Sequence, residues 1–160
     1  MNAATAHLEA SHPSPACHQP DGRVQLGTDE LPLAPQMNAA EAELRAHGLD
    51  LAATHLGQAF RAFSAHDLEA PNAQLRPAFE ETVTTIATKC TRWSGTSGGA
   101  AIQAIGDAGL FEKGELEMVL GLWRMSHRNG SHPGLTSDDE ALFRVTAVTA
   151  LLRYLVSRFL

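Results

Sequence analysis

Arginine and histidine residues are concentrated in one stretch of this 160-residue chain, WRMSHRNGSHPGLTSDDEALFR at positions 123–144. On a helix Arg124 and Arg128, four residues apart, share one face with His127 beside them, and His132 follows in a turn. Histidine exchanges protons near neutral pH, and arginine presents a permanent two-pronged donor to phosphate oxygens. These residue types therefore suit proton transfer on an anionic substrate.

The same residues also have a purely structural explanation. Like charges four residues apart repel mildly, so Arg124 and Arg128 favour an anionic partner. That partner need not be a substrate, because a carboxylate of the chain itself, such as Asp138 or Glu140, would also serve. Cations near the C-terminus of a helix stabilise it by ~0.3–1 kcal/mol, which explains His127 better than a role as general base. Gly130 and Pro133 are typical turn residues. Both explanations stay open at this point.

The elements that must position this turn are predicted to be helices. Beyond residue 36 the apolar residues recur at helical spacing and no alternating strand pattern appears, so the fold class is all-α, a bundle of about five to six helices. The first helix is expected to begin with Asn38 as N-cap and end at Gly48, the second to follow Asp50, and the third to begin near Pro77. The fourth is expected over residues 100–109.

Two long apolar faces are expected in the core. The fifth helix, over about residues 112–127, turns an apolar face inward, and the last runs from a capping box of Ser137 and Glu140 to the end of the chain. The buried face of the third helix is predicted to comprise Phe79, Val83, Ile86, Cys90 and Trp93. That of the last helix is predicted to comprise Ala141, Val145, Val148, Leu152, Leu155 and Phe159.

A glycine- and serine-rich break, SGTSGG at residues 94–99, precedes the fourth helix. Such a segment at a helix N-terminus is able to cradle a phosphate. It lacks the lysine and the spacing of a P-loop, so a flexible connection is the favoured interpretation.

Composition and charge exclude several classes of protein. The net charge of −6 argues against coating of nucleic acid through bulk positive potential, although it permits a local basic site. No apolar run is long enough to span a membrane, and the first residues do not resemble a secretory signal. Two cysteines provide no disulfide framework, so the expected location is cytoplasmic.

The first 36 residues are expected to form a disordered tail, and residues 37–160 the helical domain. The tail contains five of the eight prolines and few long apolar side chains, too little to offset the entropy of ordering. The tail also contains three histidines and one cysteine, whose spacing matches no zinc site; they are His7, His12, His18 and Cys17. The sequence therefore predicts no metal site there.

An Arg-Asn pair with a histidine shortly after it, between one helix and a long final helix, resembles the HEPN superfamily of small helical domains. The preceding AGLFEKGELEMVLGLW and the following SHPGL and ALFR are similar as well, so the resemblance covers most of residues 50–159. It implies a four-helix core of HEPN type, found in prokaryotic defence, toxin–antitoxin and RNA-processing proteins.

The resemblance implies a metal-independent endoribonuclease without cofactors. Arg128 and His132 would be the catalytic residues: histidine would assist attack of the RNA 2′-hydroxyl on the neighbouring phosphate, and arginine would stabilise the developing charge. Partners implied are RNA, a second copy whose motif meets the first in a cleft, and an antitoxin or defence-system protein. Further binding residues would be Asn129, Arg124, His127 and Ser131.

The spacing of this motif departs from the family pattern. Arg128 and His132 are separated by three residues, Arg124 and His132 by seven, and the usual motif has four to six. Many HEPN-like domains are inactive, so the alternative function is a non-catalytic helical module for dimerisation or protein interaction.

Overall fold

The computed structural model of the chain describes residues 33–126 and 137–160. Within these ranges the chain forms helices and no strand, which confirms the all-α prediction. The six helices are α1 (Leu33–Ala46), α2 (Asp50–Ser64), α3 (Ala70–Cys90), α4 (Gly98–Asp107), α5 (Lys113–Met125) and α6 (Asp138–Phe159).

Helices α3 and α6 form the centre of the bundle, because α3 packs against α2, α4 and α6, and α6 also packs against α1, α2 and α5. Helix α1 packs against α2 and α6, and α5 packs against α4 and α6. Burial of apolar surface between these helices is the main stabilising contribution to such a fold. The largest fully buried side chains are Met37, Leu44, Leu49, Leu56, Leu75, Phe79, Val83, Ile86, Ile102, Ile105, Leu152 and Leu155.

Two predicted helix starts are wrong. Helix α1 begins at Leu33, so Asn38 is not its N-cap and residues 33–36 are helical. Met37 is fully buried, and the hydroxyl of Thr149 donates to its sulfur at 2.9 Å, so packing extends the helix past the local capping signal.

Helix α3 begins at Ala70, nearly two turns before the predicted start at Pro77. Pro71 occupies the first turn, where its missing N–H costs nothing, and Pro77 lies inside the helix. An internal proline weakens a helix, but burial of Leu75 and Phe79 on either side holds α3 together.

The predicted burial of Cys90 is also wrong. Phe79, Val83 and Ile86 are buried as expected, but α3 ends at Cys90, whose side chain is exposed. Its thiol donates weakly to the carbonyl oxygen of Phe159 at 3.7 Å. Periodicity alone does not reveal where a helix leaves the bundle.

Helix α6 agrees closely with its prediction. The hydroxyl of Ser137 accepts the backbone N–H of Glu140 at 3.2 Å, which confirms the N-cap. The predicted face is buried from Ala141 to Leu155, and Phe159 is partly buried against Phe111 with ring centroids 5.6 Å apart. A stable α6 therefore follows the segment of the sequence that contains the candidate motif.

Candidate functional site at the turn between α5 and α6

The candidate site is the segment between α5 and α6, and the structure describes the helix ends on either side of it. Residues 127–136 lie outside the described ranges. The predicted site residues that fall there are Arg128, His132, Asn129, His127 and Ser131. Arg124 is described, and its side chain is exposed on the last turn of α5.

The end of α5 is fixed to the core through Trp123. Its indole is buried and meets the ring of Phe79 on α3 edge to face, with centroids 5.5 Å apart. The hydroxyl of Ser126 donates to the carbonyl oxygen of Trp123 at 2.7 Å and closes the helix. Because Trp123 points into the core, Arg124 next to it faces outward at the edge of the turn.

The start of α6 carries strong charges of both signs. Asp138, Asp139 and Glu140 occupy the first turn, where the helix dipole favours acidic side chains. Arg144, only 4% exposed, forms an ion pair with Glu140. A buried arginine thus lies within two turns of the start of α6.

Sequence reasoning did not single out Arg144. Arg144 lies three residues after Ala141 and one before Val145, which places it on the buried face of α6. The spacing of the apolar residues could therefore have predicted its burial. A charged residue at such a position requires a partner, and Glu140, four residues earlier on the same helix, provides one.

The N-terminus of α4 is occupied by an acidic side chain. The backbone N–H of Gly98 donates to Oε1 of Glu80 on α3 at 2.9 Å. A phosphate cradled by SGTSGG would need this same N–H group, so the segment joins α4 to α3 instead. The carboxylate complements the positive end of the α4 dipole.

A surface groove of about 450 Å³ lies between α1 and α6, away from the predicted site. In it, Arg153 donates to both carboxylate oxygens of Glu43, at 2.8 and 2.6 Å. This hydrogen bonding holds the pKa of Glu43 below its usual value of 4.5. His47 and Tyr154 also line the groove. Because its two charges satisfy each other, the groove offers no activated acid or base.

A second polar cluster lies between α2 and α3. A ring nitrogen of His55 is 2.8 Å from the side-chain oxygen of Gln74. Burial raises the pKa of Glu81 on α3 above 4.5, and the nearby charge of His55 opposes this shift. Glu81 is therefore the described carboxylate that burial most clearly disfavours in its charged form.

Among the described residues, no three or more His, Cys, Asp or Glu side chains converge as metal ligands. None of the helices in the described ranges is long and apolar enough to cross a membrane. The chain matches no protein-family model, no curated protein and no solved structure.

Proposed function

We propose that the chain is a HEPN-like domain that cleaves RNA without a metal ion at the turn between α5 and α6. One observation supports this site above others: Arg124 is exposed at the edge of the turn, on a helix end that Trp123 fixes to the core. A cation held at a rigid edge is suited to binding a phosphate.

In the proposed reaction His132 removes the proton of the 2′-hydroxyl, and the resulting oxygen attacks the adjacent phosphorus atom. The bond from phosphorus to the 5′-oxygen of the next nucleotide breaks, that oxygen takes up a proton from water and leaves as a 5′-hydroxyl, and a 2′,3′-cyclic phosphate remains. Arg128 binds the phosphate oxygens as their negative charge grows, and Arg124 positions the RNA backbone. The substrate is single-stranded or loop RNA in a bacterial cytoplasm, in a defence or toxin–antitoxin setting. A second copy contributes the opposite half of the cleft, and an antitoxin protein covers it.

Cleavage of labelled mixed-sequence RNA in excess EDTA tests this proposal. Wild type should cleave, and the Arg128→Ala/His132→Ala variant should not. The matched control is Arg76→Ala/His66→Asn, which removes one arginine and one histidine from exposed positions elsewhere. Asparagine is chosen because position 66 has a φ of 57°, which asparagine tolerates better than alanine.

Loss of cleavage in the turn variant alone would support the proposal. Equal cleavage by the turn variant and the control would contradict it, as would loss of cleavage when EDTA is added. No cleavage by any of the three proteins would favour the second candidate function.

That second candidate is a non-catalytic interaction module. It is favoured by large apolar side chains that remain exposed on α5 and α6, namely Met118, Phe143 and Tyr154. Light scattering at micromolar concentration tests it, since a module of this kind forms a stable complex with itself or with another protein. A strict monomer that retains no host protein after purification would contradict it.

A further inference from the structure

Helix α6 carries a second face, opposite to the one buried in the core. We call this face the outer stripe. Its residues follow one another at spacings of four, four, three, four and four, so they lie along one side of the helix. They are Asp139, Phe143, Ala147, Ala150, Tyr154 and Arg158. Ala147 is partly buried and the other five are exposed.

The middle of the outer stripe is apolar. Phe143 is 55% exposed and Tyr154 is 39% exposed, with two alanines between them. Small residues flanked by large ones allow the backbone of another helix to approach closely while the rings pack at either side. Such an arrangement suits a helix as its partner better than a small molecule.

The order of residues along the outer stripe is self-complementary. An antiparallel copy of α6, centred between Ala147 and Ala150, would place each alanine against the other alanine of the second copy. One turn further out, Phe143 would meet Tyr154 of the second copy. At the ends, the negative Asp139 would meet the positive Arg158. We propose that α6 pairs antiparallel with α6 of a second copy through the outer stripe.

Arg158 is ordered within its own chain, where it forms an ion pair with Glu115 on α5. Its guanidinium donates to Glu115, to the hydroxyl of Tyr154 at 2.6 Å and to the carbonyl oxygen of Leu110 at 3.1 Å. A side chain that is ordered before association loses less entropy on binding. A two-fold interface uses each such contact twice, so Asp139 and Arg158 contribute two ion pairs to one dimer.

This dimer differs from one that joins the two candidate sites. In the antiparallel arrangement the N-termini of the two α6 helices lie about 32 Å apart along the helix axis, at about 1.5 Å per residue. The segments before them are therefore held apart, so this contact is separate from the one that would close the cleft of the proposed function, and it stands independently of RNA cleavage.

Sedimentation equilibrium of the full chain tests the interface. Wild type should dimerise in the micromolar range, and Ala150→Glu should weaken the dimer by at least about tenfold. Each glutamate would be buried against Ala147 of the second copy, and the two negative charges would lie within about one helical turn of each other at the centre. Ala100→Glu, at an exposed position on α4, is the control and should dimerise as wild type does. A monomeric wild type, or an undiminished Ala150→Glu dimer, would overturn the proposal.

Cysteine cross-linking tests the direction of pairing. In a background with Cys17→Ser and Cys90→Ser, the Phe143→Cys/Tyr154→Cys variant should form disulfide-linked dimers on mild oxidation. Phe143→Cys alone should not, since its two copies would lie about 16 Å apart along the axis. Efficient cross-linking of Phe143→Cys alone would overturn the antiparallel arrangement, and failure of both variants to cross-link would overturn the contact itself.

Discussion

The indole of Trp123 lies directly against the backbone of Gly98, where α5 crosses the N-terminus of α4. A Cβ atom added to Gly98 would be only 2.6 Å from Cη2 of Trp123. The ring is buried and also contacts Phe79, so it has little room to move aside. Glycine at position 98 is therefore required by the close approach of the ring.

Gly98→Ala should consequently destabilise the protein by about 1–3 kcal/mol, the usual cost of overpacking a core. Gly121→Ala is the matched control, because Gly121 is exposed inside α5 and a Cβ there would meet nothing within 4 Å. That change should stabilise the helix by roughly 0.5–1 kcal/mol. Urea unfolding of both variants measures the difference, and equal effects would show that the Trp123 contact is not tight.

Leu152→Asp should unfold the domain, because Leu152 is fully buried on α6 and the new carboxylate would have no partner. The expected loss exceeds about 4 kcal/mol. Leu51→Asp makes the same chemical change at a position that is 57% exposed in the first turn of α2, where an acidic residue is favourable. Thermal melting followed by circular dichroism should show a full transition for Leu51→Asp only. Similar melting curves for both variants would mean that the core lies elsewhere.

Glu81→Gln should stabilise the protein at neutral pH. Burial raises the pKa of Glu81 above 4.5, and the charge of His55 and the N–H of Ala52 oppose that shift less strongly. The folded chain thus binds the Glu81 proton more tightly than the unfolded chain, so stability falls as the pH rises from 4.5 through the raised pKa. Glutamine carries no charge, so it avoids the free-energy cost of burying the ionised carboxylate.

The advantage of Glu81→Gln over wild type should therefore be largest above the raised pKa of Glu81 and should shrink as the pH approaches 4. Urea unfolding at pH 4 and pH 7 measures it. A constant difference between the two pH values would show that the glutamine acts through packing instead of through the charge.

Cys90 should react with a thiol reagent in the folded protein, because its side chain is exposed at the end of α3. The measurement is the rate of labelling of Cys17→Ser in the absence of denaturant. Cys17→Ser/Cys90→Ser provides the background. Labelling that occurs only after unfolding would show that Cys90 is buried in the folded protein, as the apolar spacing predicts.

Much of α6 was predictable because its local signals and its packing agree. Ser137 caps the helix, acidic residues fill its first turn, and the apolar spacing matches the buried face. At α1 and α3 the signals disagree with packing. Asn38 and Pro77 look like helix starts, yet burial of Met37 and Leu75 extends both helices in the N-terminal direction.

The candidate site was less predictable for a different reason. The residues that fix its two ends act through contacts between distant positions or through unusual burial. Trp123 packs against Phe79 on another helix, and Arg144 is buried beside the partly exposed Glu140 although arginine is ordinarily a surface residue. The roles assigned to Arg128 and His132 rest on the resemblance and on residue chemistry, and they remain predictions.

The contact of Trp123 with Phe79 and Gly98 also gives the protein an optical probe. The chain has two tryptophans, so Trp93→Phe leaves Trp123 as the single strong fluorophore. Its indole touches α3 and α4 and stands at the end of α5, next to the candidate turn. The emission of that variant reports directly on how tightly these three helices are packed where the turn begins.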